Sequence, residues 1–301
     1  MVTYMDGQWV DDGDAVVSVR SRALNYGMGC FGGIRGYLAD DENEVFVFRL
    51  DAHMKRLKHS AKILYLNMPE PADAGKTVLE LLRRNEVHHD VYVRPLLIHN
   101  SNELAPVLDE KSSSFIIYSM PLQRYIDKDA IDVCVSSWRR IRDNALPSRT
   151  KPTGGYLNSA LARREAFDNG FDEAIFLTED GKVSEGSAEH IFIARDGVLY
   201  SPPSTEDNLD GITRRSLIEM ITDDLGLPFV ERSLGRTELY VADEMFLCGT
   251  GAQITPVRSV DRRDVGSGQI GTITARLKQH FDDVVHGRVE KRKAWLSPVW
   301  G

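Results

Sequence analysis

Residues 148–192, SRTKPTGGYLNSALARREAFDNGFDEAIFLTEDGKVSEGSAEHIF, gather side chains able to do nucleophilic and acid–base chemistry. Lys151 stands in a glycine-rich turn, two residues after Arg149 and just ahead of an expected helix from about Tyr156 to Asn169 that Gly170 closes. A deprotonated lysine attacks carbonyls and shuttles protons, and burial beside cations favours that state. Taken alone, Lys151 reads first as a solvated surface lysine. Glu185 follows a strand and the TEDGK turn, where an exposed carboxylate would also fit, and His190 before IFIA could be a packed histidine at a strand start. Further on, Asp210 or Gly211 opens a helix whose first amides, Ile212 and Thr213, form an anion site. LCGTGAQITPV ends an apolar strand in a small-residue turn that presents the Thr250 hydroxyl and the amides of Gly251 and Ala252.

A second motif, NYGMGCFGGIRGY at 25–37, spells GxGxxG through Gly27, Gly29 and Gly32, with Asp51 some way beyond. A dinucleotide fingerprint needs these glycines between a strand and a helix, so that the pyrophosphate meets the helix N-terminus. Upstream, AVVSV (Ala15–Val19) reads as a strand, but RSRALNY intervenes; downstream, IRGYL, ADDENE and VFVFR read as strand, turn and strand. A hairpin stands where a helix is required, which argues against a nucleotide site. The glycines are instead expected at a backbone bend, at close packing between strands, or beneath something bound close to the main chain. Metal chemistry has little support, since His88 and His89 are adjacent and there is no HExxH; no GxSxG suggests a serine hydrolase.

Around these motifs, 301 residues with 42% hydrophobic content can bury one large core or two. A net charge of −8 speaks against a phosphate-backbone binder, so no nucleic-acid partner is expected. No apolar run approaches the ~20 residues of a membrane span and the acidic start MVTYMDGQWVDDGD does not resemble a signal peptide, so a soluble cytoplasmic protein is expected. Cys30, Cys134 and Cys248 are odd in number and widely spaced, and read as reduced and mostly buried. The first ~120 residues read as α+β: the hairpin, an amphipathic helix DAHMKRLKHSAKILYL with Asp51 as N-cap, a second helix opened by Pro71, then the buried strands VYVRPLLI and FIIYSM. The polar stretch 121–130 reads as a linker. From Ile131, short strands such as DVCVSS, DEAIFL, HIFIAR and EMFLC alternate with at least three helices, giving a second domain over 131–301.

In this order and spacing the motifs resemble the fold-type IV pyridoxal-phosphate (PLP) enzymes, and most closely the branched-chain amino acid aminotransferases. YGMGCFGGIRGY, VFRLDAHMKRL, YVRPL, KPTGGYLNS, GFDEAI, VSEGSAEHIF, LDGITRRS, ADEMFLCGT and ITPVRSVD carry the likeness over nearly the whole chain. It implies a two-domain α/β (α+β) fold like that of the D-amino acid aminotransferases, with a small N-terminal domain (1–120) and a larger domain with a pseudo-barrel sheet (131–301). It further implies that Lys151 carries PLP as a Schiff base and moves protons, and that Glu185 keeps the pyridine nitrogen protonated. Arg56, the Ile212 and Thr213 amides and the Thr250 hydroxyl would take the phosphate; Leu209 would pack on the ring and Tyr156 face it. Tyr92 and the Gly251 and Ala252 amides would hold a substrate α-carboxylate, and Arg94 the side-chain carboxylate of glutamate. Phe31 would form the apolar wall, and Tyr26 would serve the neighbouring site of a homodimer or higher homo-oligomer. The implied reaction passes the amino group of a branched-chain or related hydrophobic L-amino acid to 2-oxoglutarate through two half-reactions.

The chain departs from the family at Gly32, where glutamate is usual, at His190, where asparagine is usual, and at Leu122, where a large aromatic is frequent; Arg124 adds a charge. These positions surround the substrate, so an (R)-amine or D-amino acid aminotransferase or an aminodeoxychorismate lyase-like enzyme is the alternative, as is, further off, a PLP-binding protein without turnover.

Overall fold

The computed structural model describes residues 1–122 and 128–301; Arg124 and the middle of the expected linker lie outside them. The chain forms two compact units. One comprises Met1–Gln123, Thr150–Gly155 and Asp283–Gly301, the other Arg124–Arg149 and Tyr156–Asp282. The turn that holds Lys151 thus groups with the N-terminal sheet, and so does the C-terminus.

The first unit runs β1 (Val2–Met5), β2 (Gln8–Asp11), α1 (Arg22–Tyr26), β3 (Gly29–Phe31), β4 (Ile34–Leu38), β5 (Val45–Phe48), α2 (Leu50–Ile63), α3 (Pro71–Arg84), β6 (Val91–His99) and β7 (Ser113–Pro121). Among the described residues its sheet has the order Leu296–Pro298, β5, β4, β6, β7, β1, β2, with β3 also on β6, and every pairing is antiparallel. The hairpin read from IRGYL and VFVFR is β4 and β5. Leu50, Met54, Leu57 and Ala61 of α2 and Val78, Leu81 and Leu82 of α3 pack over Val45, Val47, Val91, Val93 and Leu97. Residues spaced by three and four fall on one helix face, and residues spaced by two on one sheet face, so the two patterns meet in one core.

Four local expectations are corrected. Ala15–Val19 is not a strand: it pairs with nothing, and Val16 and Val19 are 70% and 78% exposed. Its β-branched side chains favour extended backbone only where a neighbouring strand and a buried face reward it. RSRALNY contains α1, capped by the Ser21 hydroxyl, which accepts from Leu24 N–H. Asp51 is not the cap of α2. Arg49 is, at φ +53°, with its guanidinium 4.1 Å over the Trp295 ring; burial of Leu50 draws the start upstream and leaves Asp51 in the first turn. Finally, β6 is not buried on both faces: Val91 and Val93 point to the helices, while Tyr92 and Arg94 lie half-buried on the other side.

The second unit contains β8 (Ile131–Arg139), α4 (Tyr156–Asp168), β9 (Glu173–Leu177), β10 (Val183–Gly186), β11 (His190–Arg195), β12 (Val198–Ser201), α5 (Ile212–Glu219), β13 (Phe229–Glu231), β14 (Glu244–Gly249), β15 (Gln253–Val260) and β16 (Arg263–Asp264); α6 (Thr272–Val285) follows. Its sheet runs β10, β9, β8, β15, β14, β11, β12, β13, and β8 is parallel to both neighbours. Small Ala162 and Ala166 on α4 let that helix approach Ala174 and Phe176. Gly170, at φ +77°, follows α4. All three cysteines are buried and unbonded to one another, and burial pushes the Cys134 thiol up to about 11. Among the described residues no helix is long and apolar enough to cross a membrane, and no cluster of side chains could hold a metal ion.

Candidate active site

In the first unit, the Lys151 turn is fastened by its main chain. Phe31 N–H donates to the Lys151 carbonyl at 3.1 Å, Gly154 N–H to the Gly27 carbonyl at 3.1 Å, and the Thr153 hydroxyl to the same Gly27 carbonyl at 2.7 Å. Gly27 takes φ +65° as the C-cap of α1, and a Cβ there would stand 2.8 Å from Gly154 Cα. Only glycine meets both demands, which answers the GxGxxG: Gly27 makes a bend and a close approach, and Gly29 and Gly32 lie against Leu97 and Pro95.

Lys151 Nζ lies 5.4 Å from the centre of the Phe31 ring. The Arg94 guanidinium stacks 4.2 Å from the same ring. Arg94 is fixed from behind by Tyr92, two residues back on the same face of β6, whose hydroxyl accepts from Nη2 at 2.7 Å and Nε at 3.1 Å. That hydroxyl needs the space left by Gly33, where a Cβ would come within 2.5 Å of it. The first unit therefore assembles an amine, an aromatic wall and a fixed cation. Gly32 leaves room for the Pro95 ring, 2.7 Å from where a Cβ would be, so the place where a glutamate was expected is filled by packing.

The other residues expected in the site from this unit are more scattered. Arg56 is buried on α2 beside Met54 and Leu57. Tyr26, 42% exposed on α1, turns its hydroxyl to the Ala105 amide at 3.4 Å. Arg149 is exposed.

The second unit builds a charged group around Glu185, which sits on the fully buried β10. One carboxylate oxygen pairs with Arg140 Nη2 at 2.8 Å; the other accepts from Leu209 N–H at 3.2 Å and lies 3.6 Å from His190 Nδ1. Opposite charge and hydrogen bonds to the ionised form offset the desolvation of a buried carboxylate. The His190 ring rests against Gly211, where any Cβ would collide with it. Gly211 is the N-cap of α5 and brings no side-chain cap, so the first-turn amides at buried Ile212 and Thr213 keep their donors for an anion. Register pairs His190 with Cys248, which brings the half-buried turn of Thr250, Gly251 and Ala252 to the same end of adjacent strands; Ala252 carbonyl is tied by the Thr255 hydroxyl at 2.8 Å. Tyr156 begins α4, half-buried.

Sequence reasoning missed Arg140. It stands among Arg139 and Arg142 in a basic stretch, and nothing in that spacing singles it out; only the register of β8 beside β9, and β9 beside β10, carries it to Glu185. Leu122 is half-buried, with its amide on the Asp90 carbonyl at 3.2 Å.

The chain is similar to known proteins of one family. Residues 29–260 match the family model for class IV amino-transferases. The chain is 38% identical over 299 residues to a probable branched-chain-amino-acid aminotransferase of Aquifex aeolicus, covering 99% of this chain and 96% of that one. Its fold superimposes on the branched-chain aminotransferase of Thermoproteus uzoniensis, solved with norvaline, at a TM-score of 0.95 and 42% identity, with 99% of each chain covered. The branched-chain amino acid aminotransferase of Thermobaculum terrenum, solved in its PLP-bound holo form, gives 0.94 at 36% identity over 99% of this chain and 98% of that one.

Proposed function

The chain belongs to the class IV aminotransferases, and on that premise we propose that it is a PLP-dependent branched-chain aminotransferase. It would carry the amino group of a branched-chain or related hydrophobic L-amino acid to 2-oxoglutarate in two half-reactions. The observation that carries this reading is the shared Phe31 ring, with the Lys151 amine and the Arg94 guanidinium both against it. Such a wall accepts an aliphatic side chain by burial, and Arg94 offers glutamate a charged, two-pronged partner for its distal carboxylate. One site then serves donors of both kinds.

The donor set suits PLP. The Glu185 carboxyl has acceptor positions left beyond its bonds to Arg140 and Leu209, α5 has no side-chain cap on its first amides, and Arg56 is a buried basic side chain. Lys151, Glu185, Leu209 and Tyr156 would hold the ring, and Arg56, Ile212, Thr213 and Thr250 the phosphate. Bound PLP supplies an electron sink for the charge left at the substrate α-carbon. Lys151 takes the α-proton and returns one as general base and acid. Glu185 retains a proton at the pyridine nitrogen, and Arg140 holds Glu185 in place. Tyr92 and the Gly251 and Ala252 amides orient the α-carboxylate, and Phe31 excludes water from the side chain.

The same reading includes a homodimer to which Tyr26 contributes, a cytoplasmic location, and a division into domains at 1–120 and 131–301. The test is the visible spectrum of the PLP-loaded protein. L-leucine and L-glutamate should each bleach the yellow band, and a 2-oxo acid should restore it. Bleaching by D-alanine or (R)-1-phenylethylamine alone would refute the assignment of substrate.

A further inference from the structure

We propose that Arg22 is a positioning residue: it locks the exposed loop 101–109 onto the helix that leads into the Lys151 turn, and substrate affinity depends on that lock. Within its own chain the loop finds almost nothing apolar to hold it. No side chain from Asn102 to Leu108 is buried, and Leu104 is 89% exposed. A segment without buried apolar contacts keeps one conformation only through polar bonds.

Those bonds converge on one residue. Arg22, 3% exposed on α1, donates from Nη1 to the Val107 carbonyl at 3.0 Å and to Asp109 at 2.9 Å, and from Nη2 to Glu103 at 3.1 Å. Its own amide donates to the Ser101 carbonyl at 3.0 Å. A buried guanidinium must be neutralised, and both acids that do so come from the loop. Loop and helix are therefore stabilised together.

The same helix is held separately at its other end. One turn after Arg22, the Tyr26 hydroxyl accepts from Ala105 N–H, and the next residue, Gly27, receives the bonds of Gly154 and Thr153 from the Lys151 turn. A six-residue stretch thus has the loop fastened at one end and the lysine turn at the other. Because Tyr26 serves the neighbouring active site of the homodimer in the functional reading above, on which the kinetic part of this inference rests, release of the loop acts on substrate binding there and spares the proton transfers at Lys151.

The experiment compares the full PLP-loaded protein with Arg22→Met, which keeps the unbranched stem and removes the donors, and with Arg22→Lys, which restores a charge. In Arg22→Met the Ala105 amide should exchange with solvent about tenfold faster while that of Gly154 is unchanged, and Arg22→Lys should recover part of the protection. KM for L-leucine should rise about fivefold with kcat held within about twofold. Unchanged exchange at Ala105, equal loosening at Gly154, or a fall in kcat at constant KM would each overturn the proposal. Exchange is read without substrate, so an error in the functional reading would alter the kinetic result alone. Should Arg22→Met fail to fold, the exposed change Glu103→Gln must still quicken exchange at Ala105 and spare Gly154; no change there would equally contradict the lock.

Discussion

Lys151 and Glu185 are both expected to work on one cofactor, yet the chain secures them by different means. Lys151 is fixed through its backbone, by Phe31, Gly27 and Gly154, and its amine meets an aromatic ring. Glu185 is fixed through its side chain, by a guanidinium, a main-chain amide and a histidine. The difference fits the chemistry proposed for each. A lysine that gains and loses a proton is served by a rigid main chain, whereas a carboxylate that answers a cationic partner is served by charges and donors around it.

The comparison is broken most severely at Lys151 itself. Lys151→Ala removes the group proposed to transfer the proton, and steady-state transamination should fall by on the order of 10^3 or more. Glu185→Gln keeps the shape and deletes the charge: kcat should fall about a hundredfold, and the half-buried Arg140 left without its counter-ion should lower stability by about 1–2 kcal/mol, read by denaturant melting. Retention of either full activity or full stability in that variant would count against the charge-based half of the comparison. Gly27→Ala attacks the backbone half. It forces a Cβ into a left-handed residue and against Gly154, so melting should show a loss of about 1–3 kcal/mol, with weaker PLP retention on dialysis.

Smaller effects sharpen the contrast. Tyr92→Phe deletes the acceptor that holds Arg94, so KM for L-glutamate should rise about fivefold while that for L-leucine changes little. At the edge of the second unit, the Arg258 guanidinium hydrogen-bonds Asp132 and, with Ser259, holds its carboxyl below the usual range. A folded-state pKa below the unfolded value gives stability that is present above ordinary carboxylate pKa values and is lost as pH falls through them. The pair is partly exposed and screened, so Asp132→Asn should flatten the acid limb of melting by well under about 1 kcal/mol.

What the sequence could reveal depended on how local the cause was. The hairpin of β4 and β5, the cores of α2 and α3, and Gly170 beyond α4 follow from neighbours a few residues apart, and all are legible as periodicity or turn chemistry. The Ala15–Val19 strand misled because β-propensity is realised only beside a partner. Asp51 misled because the stacking of Arg49 on Trp295, far along the chain, decides where α2 begins. Within the candidate site, the motifs named Lys151, Glu185 and Arg94, but Arg140 became visible only through strand register. Arg22 lay unremarked in RSRALNY because its partners are more than 80 residues away.

The claim that one aromatic wall serves two kinds of donor is tested most directly by single-turnover rates of the PLP-loaded Arg94→Met variant with L-leucine and with L-glutamate. Loss of the cation proposed to meet the distal carboxylate should lower the glutamate-to-leucine ratio of rate over affinity by about thirtyfold or more, with leucine close to wild type. An equal fall for both amino acids would show that Arg94 merely supports the wall, and would contradict the account.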